Sequence, residues 1–371
     1  MTQTSHEDHI ARTVDSIRAR GGPDASAASA ASARQDTLTK PPGSLGRLEE
    51  IAVRIAGITG MPRPRLDQRL IVVAAGDHGV AARGVSAYPQ EVTAQMVANF
   101  LQGGAAINVL AGHAGARVRV VDAGVASETP EDPALLRLRL GPGTADISEG
   151  PAMSRADAAA SVAAGITLLQ SERAASGGAG VDIVGCGEMG IGNSTSAAAI
   201  IAAATGRPPR AVTGRGTGVD DERFDHKIRA VEQALQVNRP DASDGLDLLR
   251  TVGGYEVGVL AGIYLAAAAE GIPAVVDGLI SGAAALVAVA IAPEAREALI
   301  ASHRSAEPGH SAMLEHLRLE PMLDFGMRLG EGSGAALGIS LCVAACRVLD
   351  EMATFDEAGV SDSDEAVEPE P

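Results

Sequence analysis

A single carboxylate stands among glycines in the segment GEGSGAALG, residues 330–338, directly before a run of small apolar residues. Gly330, Gly332 and Gly334 remove side-chain bulk around Glu331, a pattern expected where another group must approach closely. A second carboxylate, Glu188, lies in GCGEMGIGNSTSAAAI, residues 185–200, which follows an apolar run and opens an Ala-rich helix. Gly187, Gly190 and Gly192 leave backbone N–H groups free there, Asn193, Ser194 and Thr195 add side-chain donors, and a helix N-terminus adds partial positive charge. That combination suits one phosphate. A tight strand-to-helix turn with a hydroxyl cap would use the same residues without any ligand.

The same segment fits the dinucleotide glycine pattern at Gly185, Gly187 and Gly190, which keeps an NAD-dependent dehydrogenase open. Against it, no strand ending in an acidic residue follows about twenty residues on, as that fingerprint requires. A second loop, TGRGTGVDD at 213–221, repeats the phosphate chemistry with Arg215, and Lys227 follows on a helical stretch. Either cation could complete phosphate neutralisation, and Asp220 and Asp221 could meet ribose hydroxyls; as isolated charges all four would simply be solvated. The Asp77-His78 pair could serve a metal or act as a base, but no companion ligands or metal-binding spacing accompany it, so no metal and no cofactor are expected. Tyr88, before a proline in a loop, offers a ring for stacking or for structural anchoring. His303 and His310, in SHRSAEPGH, could be catalytic, yet no Ser or Cys nucleophile arrangement accompanies them and a satisfied polar turn explains them as well.

These residues need elements to hold them. From Leu70 onward, apolar runs end in glycine and polar residues: LIVVAAGDHGV at 70–80, VRVVDAGV at 118–125, VDIVGCGEMG at 181–190, RAVTGRGTG at 210–218 and PAVVDGLISG at 273–282. A further strand is expected just before His303. Ala-rich helical segments separate the runs, so the pattern predicts an α/β fold: a parallel sheet covered by helices on both faces. Ligands gather outside the carboxyl ends of such strands, where Asp77-His78, Asp122, Glu188, Arg215 and Asp277 stand. Residues 21–36 are low-complexity Ala/Ser/Gly, a weak helix or a connector, and an amphipathic helix with Leu45, Leu48, Ile51 and Ile55 follows. The helical start, 1–68, and the helical close, 308–355, are expected to pair as one discontinuous small domain beside a large domain, 69–307.

The chain has 371 residues, 46% of them hydrophobic but only 2% aromatic, so the core must come from Ala, Val, Leu and Ile. Its net charge is −17, much of it from nine acidic and no basic residues after Leu349, and residues 356–371 are expected to be a disordered tail. An acidic chain is a poor partner for nucleic acid. Cys186, Cys342 and Cys346 form no disulfide framework; the last two, four residues apart, read as small buried thiols. With no apolar signal core at the N-terminus, and with 283–292 as the longest apolar run, no membrane association is expected and the location is cytoplasmic.

Taken in order, KPPGSLGRLE, AAGDHGV with GVSAYPQEVTAQM, GCGEMGIGNSTSAAA, TGRGTGVDD, VVDGLISGAAA, SHRSAEPGH and RLGEGSGAAL resemble the nicotinate-nucleotide:dimethylbenzimidazole phosphoribosyltransferases over about residues 37–350. The resemblance implies a Rossmann-like large domain, a small helical domain drawn from both chain ends, and a homodimer. It also implies the reaction, transfer of 5-phosphoribose from nicotinate mononucleotide to 5,6-dimethylbenzimidazole or a related base, giving α-ribazole 5′-phosphate for the lower ligand of cobalamin. By position, Glu331 corresponds to the general base and Glu188 to an active-site carboxylate that supports the ribose or the charge developing at C1′. Gly187, Gly190, Gly192, Asn193, Ser194, Arg215, Lys227 and Asp277 fall to the nucleotide, with Asp277 at its ribose or acceptor edge. Ser86, Tyr88, Gln95 and Leu329 fall to the acceptor base. A nucleotide-binding regulator without turnover would keep the phosphate loop but have no chemical need for Glu331.

Overall fold

The computed structural model describes residues 3–175, 180–216 and 218–361. Six parallel strands form one sheet in the order β3-β2-β1-β4-β5-β6, with β1 Arg69–Gly76, β2 Arg117–Gly124, β3 Leu135–Arg137, β4 Ile183–Met189, β5 Ala274–Val276 and β6 Leu299–Ala301. The two central strands read RLIVVAAG and IVGCGEM and are buried almost throughout, as a sheet covered on both faces requires. The chain builds outward from β1 to β3, then crosses back through the helix Arg155–Ala175 to lay β4 on the other side of β1. The loops after β1 and β4 therefore leave in opposite directions, and a crevice opens between them at the carboxyl edge.

Two chain segments depart from the sequence expectation within the sheet region. Residues 210–212 form no strand; Pro209 at the first helical position starts a single helical turn, Pro209–Val212. Conversely β3, only three residues long, pairs with the end of β2 and carries no period-2 signal that could announce it.

The covering helices are packed backbone to backbone. Tyr255–Glu270 lies against Arg155–Ala175, and a Cβ at Gly165 would run into the Val259 carbonyl while one at Gly262 would run into the Val162 carbonyl. An Ala/Gly-rich core thus substitutes close approach for bulky side chains.

The chain divides into two compact units, a larger one of residues 1–21 and 68–339 and a smaller one of 22–67 and 340–371. The helix Gln3–Arg20 joins the larger unit because Ile10, Val14 and Ile17 make one buried stripe against Arg155–Ala175 and Tyr255–Glu270. Residues 308–339 also belong there: in Pro308–Leu317, Met313, Leu314 and Leu317 are buried against the helices Leu279–Ile291 and Asn193–Thr205. The expectation that both segments join the small domain rests on helicity alone, which does not say which core a helical face meets.

In the smaller unit the low-complexity stretch is a helix, Ala25–Thr37, capped by the Asp24 carboxylate on the Ala27 N–H and seated through Ala27 and Ala31. It packs on Arg47–Thr59, which buries Ile51 and Ile55, whereas Leu45 precedes that helix and is exposed. Arg34 donates to the carbonyls of Leu349, Asp350 and Met352, and Cys342 and Cys346 are buried free thiols. The helix Ser333–Glu351 is by length and composition apolar enough to cross a membrane, but Ala335, Ile339, Cys342, Ala345 and Leu349 bury one face of it in protein. The tail expected from 356 begins with structure: Phe355–Ala358 is a helical turn closed by a capping box between Thr354 and Glu357. Residues 362–371 of that expectation lie outside the described residues.

Candidate active site

Residues following β4, β5 and β6, together with 88–96 and 328–331, line a cavity of about 430 Å³ in the larger unit. Its two ends differ in charge.

At one end stands Glu331. Gly330, Glu331 and Gly332 all have positive φ, +87°, +62° and +88°, and Glu331 is the residue with a side chain among them. A left-handed conformation costs such a residue on the order of 1 kcal/mol or more, so the surroundings must impose it. They do so through Asp277, whose carboxylate accepts the N–H groups of Gly332 at 3.2 Å and Ala335 at 2.9 Å and so caps the helix Ser333–Glu351. The glycines serve this fold: a Cβ at Gly330 would strike Glu188 Oε1, one at Gly334 would strike His303 Nδ1, and one at Gly187 would strike the Glu331 carbonyl. What approaches closely is the protein itself. Glu331 is 7% exposed and lines the cavity; burial raises its pKa, opposed by the Ile107 N–H that its Oε2 accepts at 3.4 Å.

Glu188 faces the same space and holds the Asn193 amide. Burial, with Asp277 and Glu256 next, pushes its pKa up to about 8, which favours its protonated form at neutral pH. Asp277 is likewise pushed up by burial, to about 7, against the backbone N–H groups that favour its charge. Behind them His78 Nε2 meets Glu256 Oε1 at 2.7 Å with both side chains fully buried.

At the other end the helix Asn193–Thr205 points its first turn at the cavity from Gly192, which has φ +97°. Lys227 Nζ donates to Ser194 Oγ at 2.9 Å, and the backbone of Gly216 lies against both. Lys227 is 1% exposed, and burial lowers its pKa to about 8 although Glu307 pulls the other way. Glu307 Oε1 accepts the Gly216 N–H at 3.0 Å, while its buried Oε2 has no hydrogen-bond partner among the described residues. Arg328 Nη1 donates to the Gly216 carbonyl and lines the cavity with Ser305.

The structure brings Glu331, Glu188, Gly190, Asn193, Ser194, Tyr88 and Leu329 together on the cavity wall. Lys227 stands one hydrogen bond behind, through Ser194, and Gly187 and Gly192 shape the turns. Others differ from expectation. Asp277 does not line the cavity; its oxygens are taken by the helix cap. Arg215 turns away to Asp221 and the Val219 carbonyl, with its guanidinium 4.9 Å over Phe224, and only its neighbour Gly216 reaches the wall. Asp220 caps the helix Asp221–Asn238. Gln95 is exposed because Val92 and Met96, one helical turn apart, take the face of Val92–Gln102 that meets the cavity. Ser86 accepts the Tyr88 N–H and lies off the wall.

Arg328, Ser305 and Glu307 line the cavity without having been expected there, and His303, left open between a catalytic role and a polar turn, lines it too. The available signal is position: SHRSAEPGH follows a strand end, as the other wall segments do.

Comparison with known proteins agrees on one family. The model of a phosphoribosyltransferase family matches residues 21–360. The nicotinate-nucleotide–dimethylbenzimidazole phosphoribosyltransferase of Roseiflexus sp. (strain RS-1) is 60% identical over 344 residues, 92% of this chain and 96% of that one. That of Chloroflexus aggregans is 56% identical over 357 residues, 96% of this chain and 99% of its own. The crystal structure of the Thermus thermophilus enzyme of the same name superposes with a TM-score of 0.85 at 46% identity, covering 92% of this chain and 100% of that chain. With a large α/β unit of matching fold and a family match that spans the cavity residues from Tyr88 to Glu331, the chain belongs to the nicotinate-nucleotide–dimethylbenzimidazole phosphoribosyltransferase family.

Proposed function

We propose that the protein transfers 5-phosphoribose from nicotinate mononucleotide to 5,6-dimethylbenzimidazole or a related base, releasing nicotinate and α-ribazole 5′-phosphate, as a homodimer in the cytoplasm. The observation that carries this reading is the polarity of one cavity: a buried, strained carboxylate at one end and a lysine-backed helix N-terminus at the other. A nucleoside monophosphate spans such a cavity with its phosphate on Ser194, Asn193 and Gly190, completed by Lys227 and Arg328. C1′ then lies toward Glu188 and Glu331.

The ring nitrogen of the donor is already cationic, so when the C1′–N bond breaks its electron pair returns to a neutral pyridine and no acid is needed. One imidazole nitrogen of the acceptor attacks C1′ from the opposite face, forming the new C–N bond with inversion. The N–H on its other nitrogen becomes acidic, and Glu331 takes that proton. Burial makes Glu331 a better base than an ordinary surface carboxylate, which suits the task. Glu188, whose burial favours its protonated form, gains a cationic neighbour when the pyridinium arrives, which favours its ionised form beside C1′. Val92, Met96, Tyr88 and Leu329 supply the apolar surface for a flat acceptor. Holding both rings on opposite sides of C1′ supplies much of the rate.

Incubating the protein with nicotinate mononucleotide and dimethylbenzimidazole, with product identification by mass, tests the reading. Stoichiometric nicotinate and α-ribazole 5′-phosphate are expected; nicotinate with free ribose 5-phosphate would make the protein a hydrolase and overturn it.

A further inference from the structure

His303 lines the cavity between its two ends, and the reading of the ends gives it no task. On one side its ring lies against Gly334 of the segment that carries Glu331; on the other, Ser305 and Glu307 lead to Gly216 and Lys227. A nucleotide with C1′ at the first end and phosphate at the second passes its sugar across this ring.

Hydrogen bonding fixes which ring nitrogen carries the proton. Ser302 Oγ is 2.7 Å from the Val276 carbonyl oxygen and 3.0 Å from His303 Nδ1. A carbonyl has no hydrogen, so the single Ser302 hydroxyl proton lies on the bond to Val276 and the serine oxygen can only accept from His303. Nδ1 is therefore the N–H nitrogen. Nε2 keeps its lone pair, and among the described residues no donor meets it. A charged ring is disfavoured: burial lowers the His303 pKa with only Asp324 opposing, and the His310 ring stacks on it with centroids 5.8 Å apart. His310 is itself held neutral, its pKa down at about 3 through burial, His303 and Arg304, while its Nδ1 accepts the Ser305 N–H.

A lone pair in that place repels phosphate and carboxylate and needs a donor. The sugar hydroxyls are the donors of nicotinate mononucleotide that lie between its ring and its phosphate. We infer that His303 Nε2 accepts a hydrogen bond from a secondary ribose hydroxyl of the donor, fixing the sugar while C1′ moves between the two bases. This rests on the transferase reading above.

The test is kcat/KM for nicotinate mononucleotide and for its 2′-deoxy and 3′-deoxy forms, with wild type, His303→Phe and His303→Gln. Wild type should lose roughly tenfold to a hundredfold when the hydroxyl that pairs with His303 is removed, the cost of leaving a buried acceptor unmet. His303→Phe should lose as much with the full donor and nothing further with that deoxy donor, and His303→Gln should recover part. Equal losses of His303→Phe against all three donors would assign the ring a structural role and overturn the inference. In wild type, imidazole ¹⁵N spectra should show Nδ1 protonated and Nε2 bare; a proton on Nε2, or indifference of wild type to both hydroxyls, overturns it even if His303→Phe does not fold. Failure of the transferase reading would show differently, as absence of riboside product from wild type and the full donor.

Discussion

The two ends of the cavity solve opposite problems by the same means. At the Glu331 end, burial pushes the pKa of Glu188 up to about 8, with neighbouring carboxylates adding to it, and that of Asp277 up to about 7. At the Ser194 end a lysine is buried almost completely, its ammonium donating to a serine hydroxyl, and its pKa falls to about 8. Each end carries an electrostatic cost of burial that its neighbours offset only in part. The donor is the complement of both, with positive charge at the glycosidic nitrogen and a phosphate dianion several bonds away. On the proposed reading, binding would relieve the two costs together, so that stability is given up for affinity at both ends.

The largest expected effect comes from the carboxylate end. Glu331→Gln keeps shape but removes the proton acceptor, and kcat should fall by roughly 10²–10⁴-fold, the usual worth of a positioned base, with the donor KM little changed. Measured at saturating substrates, an unaltered kcat would take the base role away from Glu331 and leave the ends unequal in function.

Lys227→Met strikes the other end and should raise the donor KM by about ten- to a hundredfold if, as proposed, the buried ammonium is a main counter-charge for phosphate. The comparison becomes sharper in stability. The Lys227 pKa lies below its ordinary 10.5, so the folded state suffers the full cost below pH 8 and loses it as pH rises from 8 to 10.5. The Glu188 pKa lies above its ordinary 4.5, so the cost is absent below pH 4.5, grows with pH and is complete above 8. Thus Lys227→Met should stabilise the unliganded protein on the order of 2–3 kcal/mol at pH 7, fading by about pH 10.5. Glu188→Gln should stabilise it by a similar order at pH 8 and by nothing near pH 4.5. Denaturant midpoints at several pH values decide; two gains with the same pH trend would dissolve the contrast.

The two ends also differ in how far the sequence disclosed them. The Ser194 end is local: Gly190, Gly192, Asn193 and Ser194 are consecutive with a strand and a helix start, and period and composition reveal both. The carboxylate end is made by convergence. Asp277 at a strand end looks like a ligand contact until the helix start at Ser333, more than fifty residues on, arrives to claim its oxygens. Arg328, Ser305 and Glu307 acquire meaning only when their loops meet Gly216. Helix phase explains Gln95, since one residue is about 100° of rotation and the wall goes to Met96 instead. The strands of the sheet centre were legible because burial on both faces leaves unbroken Val/Ile/Ala runs, whereas β3 and the turn at Pro209–Val212 are too short for any periodicity.

The smallest effect should come from the wall that belongs to neither end. Leu329 is 57% exposed, next to the Glu331 turn, and an acceptor ring laid on the wall would cover it. Covering half a leucine is worth about 1 kcal/mol by area, so Leu329→Ala should raise the dimethylbenzimidazole KM by about fivefold. The donor KM should stay put, because on the proposed reading the charges that hold the donor lie at the ends. Initial rates with each substrate varied in turn separate the two. If the donor KM rises alongside, Leu329 positions Gly330 and Glu331 rather than the acceptor, and the apolar wall becomes part of the carboxylate end.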